Sequence, residues 1–238
     1  MKFASENPPA HLHPGLLITI DGPAGSGKTT VSRLLAQRLG YQYVDTGALY
    51  RCIALEVQKA GIDSNSDKQL AQLCADLDIQ FRNTEAQWRL FVNGVDVAAD
   101  IRTPAVTMLA SAISAMPSVR HHLLQVQRSL GSKKSAVFEG RDMGTVVFPD
   151  ADIKFYLDAD IDVRAQRRYA ELNSKHAQSK AEVEADMRQR DHNDSHRKLA
   201  PLKPADDAVI IDTTHLTIDE VVQVMLQQIR NFSHFEKV

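Results

Sequence analysis

The stretch GPAGSGKTT, residues 22–30, follows directly on LLITI at 16–20 and decides how the surrounding chain folds. Closely spaced glycines suit a packed core badly, because glycine loses the most backbone entropy on folding and buries no side chain. Residues 22–29 instead match G-x-x-x-x-G-K-[ST], between an apolar predicted strand and a predicted helix. There the glycines let successive amide groups turn toward a phosphate. We therefore predict a P-loop that binds a nucleoside triphosphate.

Each part of this loop has an expected contact with the bound nucleotide. Lys28 is expected to reach the β- and γ-phosphate oxygens, and Thr29 to offer its hydroxyl to Mg²⁺. The predicted nucleotide-binding residues are Gly22, Pro23, Ala24, Gly25, Ser26, Gly27, Lys28, Thr29 and Thr30. The motif does not indicate which molecule receives the γ-phosphate.

Strands and helices alternate on both sides of the loop. Predicted parallel strands lie at 16–20, 41–45, 135–140, 152–158 and 208–212. Predicted helices lie at 28–39, about 48–60, 67–76, about 104–115 and 118–130. A last helix opens with a capping box at Thr217 and Glu220. Residues 62–103 differ, with alternating stretches and an Asn93-Gly94 turn that predict a small, mostly antiparallel insertion. The pattern indicates an α/β fold with a doubly wound five-stranded parallel sheet, which binds ligands beyond the carboxyl ends of its strands.

Composition narrows the class of protein and its partners. The 238 residues carry 28 lysines and arginines against 30 acidic residues, so no nucleic-acid or anionic-membrane partner is expected. Cys52 and Cys74 have no metal or redox spacing, which favours reduced core cysteines and a cytoplasmic protein. No apolar run approaches the ~18 residues of a membrane helix. Residues 1–15 have no apolar signal region, so we expect a flexible tail followed by one domain at 16–238.

A kinase needs a second cationic cradle for the group that accepts the phosphate. The stretch DTGALYR at 45–51 follows the second predicted strand, where Thr46 is expected to cap the next helix and Arg51 to face the cleft. The stretch EGRD at 139–142 places Arg141 and Asp142 beside the P-loop. Two alternatives stay open: an ordinary turn with a solvated arginine at 45–51, and a surface ion pair at 141–142.

Two further sets of charged residues fall between the fourth and fifth strands. Arg164, Arg167 and Arg168, at i, i+3 and i+4, are spaced to share one helix face, and Arg190, Asp194 and Arg197, at i, i+4 and i+7, are likewise spaced to share one face. Either set alone fits a solvated face equally well. Together they favour a mobile cationic lid over the triphosphate, which stabilises the transferred group and excludes water.

The residues at these positions resemble the bacterial cytidylate kinases, within the P-loop nucleoside monophosphate kinases. The resemblance rests on ITIDGPAGSGKTT, VDTGALYR, the IRTP segment at 101–104, EGRDMGTVVFPDA at 139–151, the arginine-bearing segment and LAPLKPADDAVIIDTT at 199–214, which together cover about residues 16–230. The stretch GRDMGTVVFPDA is the most discriminating, because many families share the P-loop.

The resemblance implies a P-loop kinase fold with an acceptor-binding insertion at about 62–103 and a helical lid at about 164–197. It implies transfer of the γ-phosphate of ATP to CMP or dCMP with Mg²⁺. The implied catalytic residues are Lys28, Arg141, Arg164, Arg168 and Arg197, and the implied substrate-binding residues are Thr46, Tyr50, Arg51, Ser111, Arg120, Arg141, Asp142, Arg190 and Asp194.

Within that substrate-binding set, Ser111, Arg120 and Asp142 would contact the cytosine edge, Arg51 and Arg141 the acceptor phosphate, and Arg190 and Asp194 the ribose. A carboxylate such as Asp142 accepts from the N4 amine of cytosine and repels the carbonyl that uracil presents there. From the residues alone, Ser111 would be assigned to a helix surface.

The chain departs from the family pattern at two positions. Glu139 stands where the family often has aspartate, so it is only a second candidate metal ligand beside Thr29, and Thr46 stands where serine is frequent.

We expect a monomer with small-molecule substrates. The rivals are a kinase for UMP, AMP or a sugar-like acid; a GTPase, whose Asn/Thr-Lys-x-Asp guanine reader is not found; and a nucleic-acid-binding ATPase, which would need a broad basic surface.

Overall fold

A five-stranded parallel sheet forms the centre of the molecule. The computed structural model describes residues 15–84, 87–172 and 178–235, so the predicted tail at 1–15 lies outside the described residues except for Gly15. The five strands are β1 (Leu17–Asp21), β2 (Gln42–Asp45), β6 (Ala136–Glu139), β7 (Ile153–Asp158) and β8 (Val209–Asp212). They pair in the order β2-β6-β1-β7-β8, and every pairing is parallel. The five strands predicted from the sequence are therefore confirmed.

Strand β1 is buried on both faces, as its continuous apolar run predicts. Leu16, Ile18 and Ile20 pack on one side in a cluster that includes helix α1 (Lys28–Leu39) and the last helix of the chain. Leu17 points to the other side, into a cluster with Phe138. Helices cover both faces of the sheet, which is the doubly wound arrangement.

Helices connect the strands. They are α1 (Lys28–Leu39), α2 (Thr46–Ala60), α3 (Asp67–Ala75), α4 (Pro104–Ile113), α5 (Pro117–Gly131), α6 (Ile161–Leu172), α7 (Lys180–His196) and α8 (Ile218–Phe235), with a 3-10 turn at Asp100–Arg102 and a π-helical turn at Met143–Val147. Gly40 ends α1 in the left-handed conformation at φ 69°. The predicted capping box at Thr217 and Glu220 opens α8. No helix in the described ranges is both long and apolar enough to cross a membrane.

The antiparallel insertion is also confirmed. Strands β3 (Ile79–Thr84), β4 (Gln87–Val92) and β5 (Val95–Asp96) form a separate three-stranded antiparallel sheet. The Asn93-Gly94 turn joins β4 to β5, with both residues at positive φ. Leu90 and Val92 of this sheet pack in one apolar cluster with residues of α2, α3, α4 and α5. The small sheet thus rests on the helices that border one side of the cleft.

One local prediction is wrong. Thr46 does not cap α2; it is the first residue of that helix, and its hydroxyl donates to the Glu139 carbonyl at 2.6 Å. Asp45 is the cap, accepting from the Ala48 amide at 3.0 Å. The helix accordingly begins two residues earlier than expected. The correction matters because Thr46 links β6 to α2 directly beneath the cleft.

Candidate active site

A cleft of about 500 Å³ lies where the chain leaves β1, β2 and β6. Sixteen of the sequence-predicted binding and catalytic residues line it, together with the possible metal ligand Glu139. They are Ala24, Gly25, Gly27, Lys28, Thr29, Thr30, Thr46, Tyr50, Arg51, Ser111, Arg141, Asp142, Arg168, Arg190, Asp194 and Arg197. Gly22, Pro23, Ser26, Arg120 and Arg164 lie behind this surface rather than on it. Three separate strand ends and the helices α6 and α7 therefore converge on one cavity.

Glycine geometry shapes the P-loop. Gly22, Gly25 and Gly27 all have positive φ, at 145°, 75° and 85°. A Cβ on Gly22 would lie 2.0 Å from the Leu157 carbonyl oxygen, so only glycine allows the loop to pass so close to β7. The Ser26 hydroxyl donates to the Pro23 carbonyl across the loop at 3.1 Å. These constraints preset the phosphate cradle before any ligand arrives.

Lys28 lies inside the loop. Its ammonium group donates to the Pro23 carbonyl and to the Ser26 hydroxyl, and only 4% of the residue is exposed. Burial, with the positive charge of Arg141 nearby, lowers the pKa of Lys28 to about 7. The protein thus keeps a weakly held proton at the position that the motif assigns to the β- and γ-phosphates.

Glu139 is the centre of a hydrogen-bonded group beside the loop. The Thr29 hydroxyl donates to Glu139 Oε1 at 2.7 Å, and the Tyr43 hydroxyl donates to Glu139 Oε2 at 2.5 Å. Burial, together with the charge of Asp45, raises the pKa of the Glu139 carboxyl. Thr29 and Glu139 therefore offer hydroxyl and carboxylate oxygens next to each other, which is the donor type that Mg²⁺ accepts.

Asp142 is the most strongly paired carboxylate in the cleft. Arg120 binds one of its oxygens, and Arg197 donates to the other at 3.2 Å. Arg197 also donates to the Ser114 hydroxyl at 3.2 Å, and Arg120 to the Ser114 carbonyl at 3.1 Å. Ser111 lies one helical turn before Ser114, half-buried and on the cleft wall, which the residues alone did not indicate. The predicted cytosine-edge residues are thus neighbours.

The predicted acceptor-phosphate and ribose residues form a second network. Arg51 is held by Asp45 at 2.8 Å, and Arg141 by Asp194 at 2.9 Å. Burial by itself would lower the pKa of Arg141, but the negative charge of Asp194 and the hydrogen bond to it act in the opposite direction, and the net effect is a raised pKa. Arg190 has no such partner for its buried Nε; burial and the charge of Arg141 lower its pKa to about 10. An added anion would relieve this excess of positive charge.

The three arginines of α6 do not act as one stack. Arg164 is 8% exposed and donates to the Ala24 carbonyl behind the P-loop. Arg167 donates to the Thr213 carbonyl at 2.6 Å, away from the cleft, while Arg168 lines the cleft and pairs with Glu171. The i, i+3, i+4 spacing places them near one another, but neighbouring backbone acceptors take two of the three. The catalytic roles of Arg164 and Arg168 stay predictions.

Two residues that sequence reasoning missed belong to the site. Asp21, 4% exposed, accepts from the Met143 and Gly144 amides at 2.9 and 2.8 Å and so fixes the turn that carries Asp142. Burial raises the pKa of Asp21 to about 6. Arg102 lines the cleft from the 3-10 turn. Asp21 lies within the motif ITIDGPAGSGKTT and Arg102 within IRTP. Their positions in the site depend on neighbouring elements rather than on the motifs themselves.

Comparisons with known proteins agree with this geometry. The family model described as cytidylate kinase matches residues 18–231. Two curated relatives carry that name: one from Geobacter sulfurreducens is 50% identical and one from Geobacter sp. strain M21 is 47% identical, each over 91% of this chain and 93% of the relative. A solved structure of an uncharacterized protein from Eubacterium ventriosum shares the fold at a TM-score of 0.50 and 12% identity, covering 90% of this chain and 98% of that one.

Proposed function

The chain belongs to the cytidylate kinase family, and on that premise we propose that it transfers the γ-phosphoryl group of ATP to CMP or dCMP. The products are ADP and CDP or dCDP. The observation that carries the proposal is one cavity with the P-loop on one wall and a carboxylate, Asp142, on the other, held in place by Arg120 and Arg197. The carboxylate can accept from the N4 amine that distinguishes cytosine from uracil.

The reaction needs no covalent enzyme intermediate. An oxygen of the acceptor phosphate forms the new bond to the γ-phosphorus while the bond from that phosphorus to the β-γ bridging oxygen breaks, and ADP leaves with the electron pair. The acceptor oxygen is already anionic, so no strong general base is required. The contribution of the protein is to hold two polyanions in line and to neutralise the charge that develops, for which the cleft supplies Lys28, Arg141 and Arg197.

Mg²⁺ fits the donors beside the P-loop. Thr29 and Glu139 would hold the ion, and it would supply positive charge against the phosphate groups. Within the described part of the chain, no cluster of three or more histidine, cysteine, aspartate or glutamate side chains could hold a metal by itself. A site with one carboxylate, one hydroxyl and the substrate phosphates is typical of Mg²⁺. Tyr43 donates a hydrogen bond to the second carboxylate oxygen of Glu139, Oε2, and so holds the carboxylate in place.

The remaining properties are inferred from the same premise. We propose that residues of the 62–103 insertion and its supporting helices hold the acceptor, and that α6 and α7, within 164–197, form the lid. Arg51 and Arg141 are assigned to the acceptor phosphate, Arg190 and Asp194 to the ribose, and Ser111 to the base. We further propose a cytoplasmic monomer whose partners are ATP and CMP or dCMP, without nucleic-acid or membrane partners.

A coupled ADP-release assay tests the reaction. With ATP and Mg²⁺, CMP or dCMP should give the highest kcat/KM, ahead of UMP and AMP. Lys28→Ala should abolish turnover while the melting temperature stays near that of the wild type, and Lys59→Ala, on the exposed side of α2, should leave turnover unchanged. A higher kcat/KM for UMP or AMP than for either cytidine monophosphate would contradict the proposed substrate.

A further inference from the structure

Helix α7 contacts both ends of the cleft. Met187 and Val183 pack with Ala24 and Ala165 in an apolar cluster that joins the P-loop to α6 and α7. On the same helix Arg190 and Asp194, and Arg197 directly after its end, line the cleft on the acceptor side. The helix therefore connects the P-loop to the acceptor pocket.

The polar part of this connection is a largely buried ion pair that holds the backbone of one residue, Ala24. Asp191 of α7 accepts from the Ala24 amide at 3.2 Å, and Arg164 of α6 donates to the Ala24 carbonyl at 3.0 Å. Asp191 and Arg164 also bind each other, and their side chains are 19% and 10% exposed. Arg164 is anchored further by the Ala159 carbonyl at 2.9 Å. Both polar groups of Ala24 are thus held from the lid helices.

The close approach depends on Gly25. A Cβ at this position would lie 2.7 Å from Met187 Cε and 3.0 Å from the Arg164 carbonyl oxygen. The loop therefore packs closely against both helices, and Asp191 lies at this contact through its hydrogen bond to Ala24.

From these contacts we propose that Asp191 is a positioning residue, which fixes the distance between the P-loop and helix α7 and hence between the donor and acceptor phosphates. The proposal rests on the proposed function of the cleft. Asp191 does not line the cleft, so it acts through Ala24 on one side and through its neighbours Arg190 and Asp194 on the other. In-line transfer is sensitive to this distance, because a misplacement of about 1 Å costs about 100-fold in rate.

The kinetic test separates positioning from binding. Asp191→Asn should lower kcat by about 10- to 100-fold, while the dissociation constants of ADP alone and of CMP alone change by less than about threefold. Asp186→Asn makes the same chemical change on the exposed side of α7 and should behave as the wild type. A kcat within about threefold of the wild type, or a loss confined to ADP affinity, would overturn the proposal.

A second measurement uses the unaltered protein and therefore does not depend on whether the variant folds. CMP binds on the acceptor side of α7, so its binding should slow hydrogen exchange at the amides of residues 22–30 without any nucleotide in the P-loop. If CMP binds and exchange in this segment stays the same, Asp191 does not connect the two sites. If CMP does not bind at all, the proposed function fails instead, which keeps the two outcomes distinct.

Discussion

Nucleotide binding at the P-loop should draw a proton from solution above neutral pH, because burial lowers the pKa of Lys28. Its pKa falls from 10.5 to about 7, a shift worth on the order of 5 kcal/mol against the ammonium form. Near pH 8 the free side chain is then about nine-tenths neutral. Bound phosphates favour the charged form, so Lys28 should take up almost one proton when ADP binds near pH 8, and almost none when it binds near pH 6.

Isothermal titration of ADP in buffers with different ionisation enthalpies measures this uptake, since the observed heat then varies with the buffer. Near pH 8 free ADP is fully deprotonated and adds no proton of its own. Lys28→Arg is the matched control: its guanidinium stays protonated at every working pH, so its binding heat should not depend on the buffer. Uptake below about a quarter of a proton by the wild type, or equal uptake by the arginine variant, would refute the reasoning.

Three other changes test separate parts of the site. Asp142→Ala should reduce the ratio of kcat/KM for CMP over UMP by about 5- to 150-fold, equivalent to about 1–3 kcal/mol, and an unchanged ratio would assign base recognition elsewhere. Glu139→Gln should raise the Mg²⁺ concentration for half-maximal rate by about 10- to 100-fold, seen in a metal titration at saturating CMP; unchanged metal dependence would remove Glu139 from the metal site. Gly25→Ala should cost about 1–3 kcal/mol in unfolding free energy and raise the KM for ATP, because its φ is 75° and its Cβ would meet Met187. Gly40→Ala, at φ 69° with open space around it, carries the backbone strain alone and should leave that KM unchanged.

Local physics let the sequence determine the fold and the donor site. An apolar strand, a glycine loop and a helix are consecutive, so the P-loop at 22–30 and the extent of α1 follow from neighbouring residues. The same holds for the Asn93-Gly94 hairpin and the capping box of α8. Resemblance added Ser111 and Arg120, which have no local signal because their role depends on facing Asp142 from other helices.

Tertiary packing decided which charged groups face the cleft. Helical spacing put Arg164, Arg167 and Arg168 near one another, but only the folded chain shows that Ala24 and Thr213 carbonyls take two of them. Asp191 and Asp21 gave no signal in the sequence, because their partners lie 167 and 122 residues away. A hydrogen bond to a backbone group sets no requirement on the side chain of the partner residue, so the sequence contains no pattern that reveals it. The sequence thus determines the loop, and the packing of distant segments determines what is held around it.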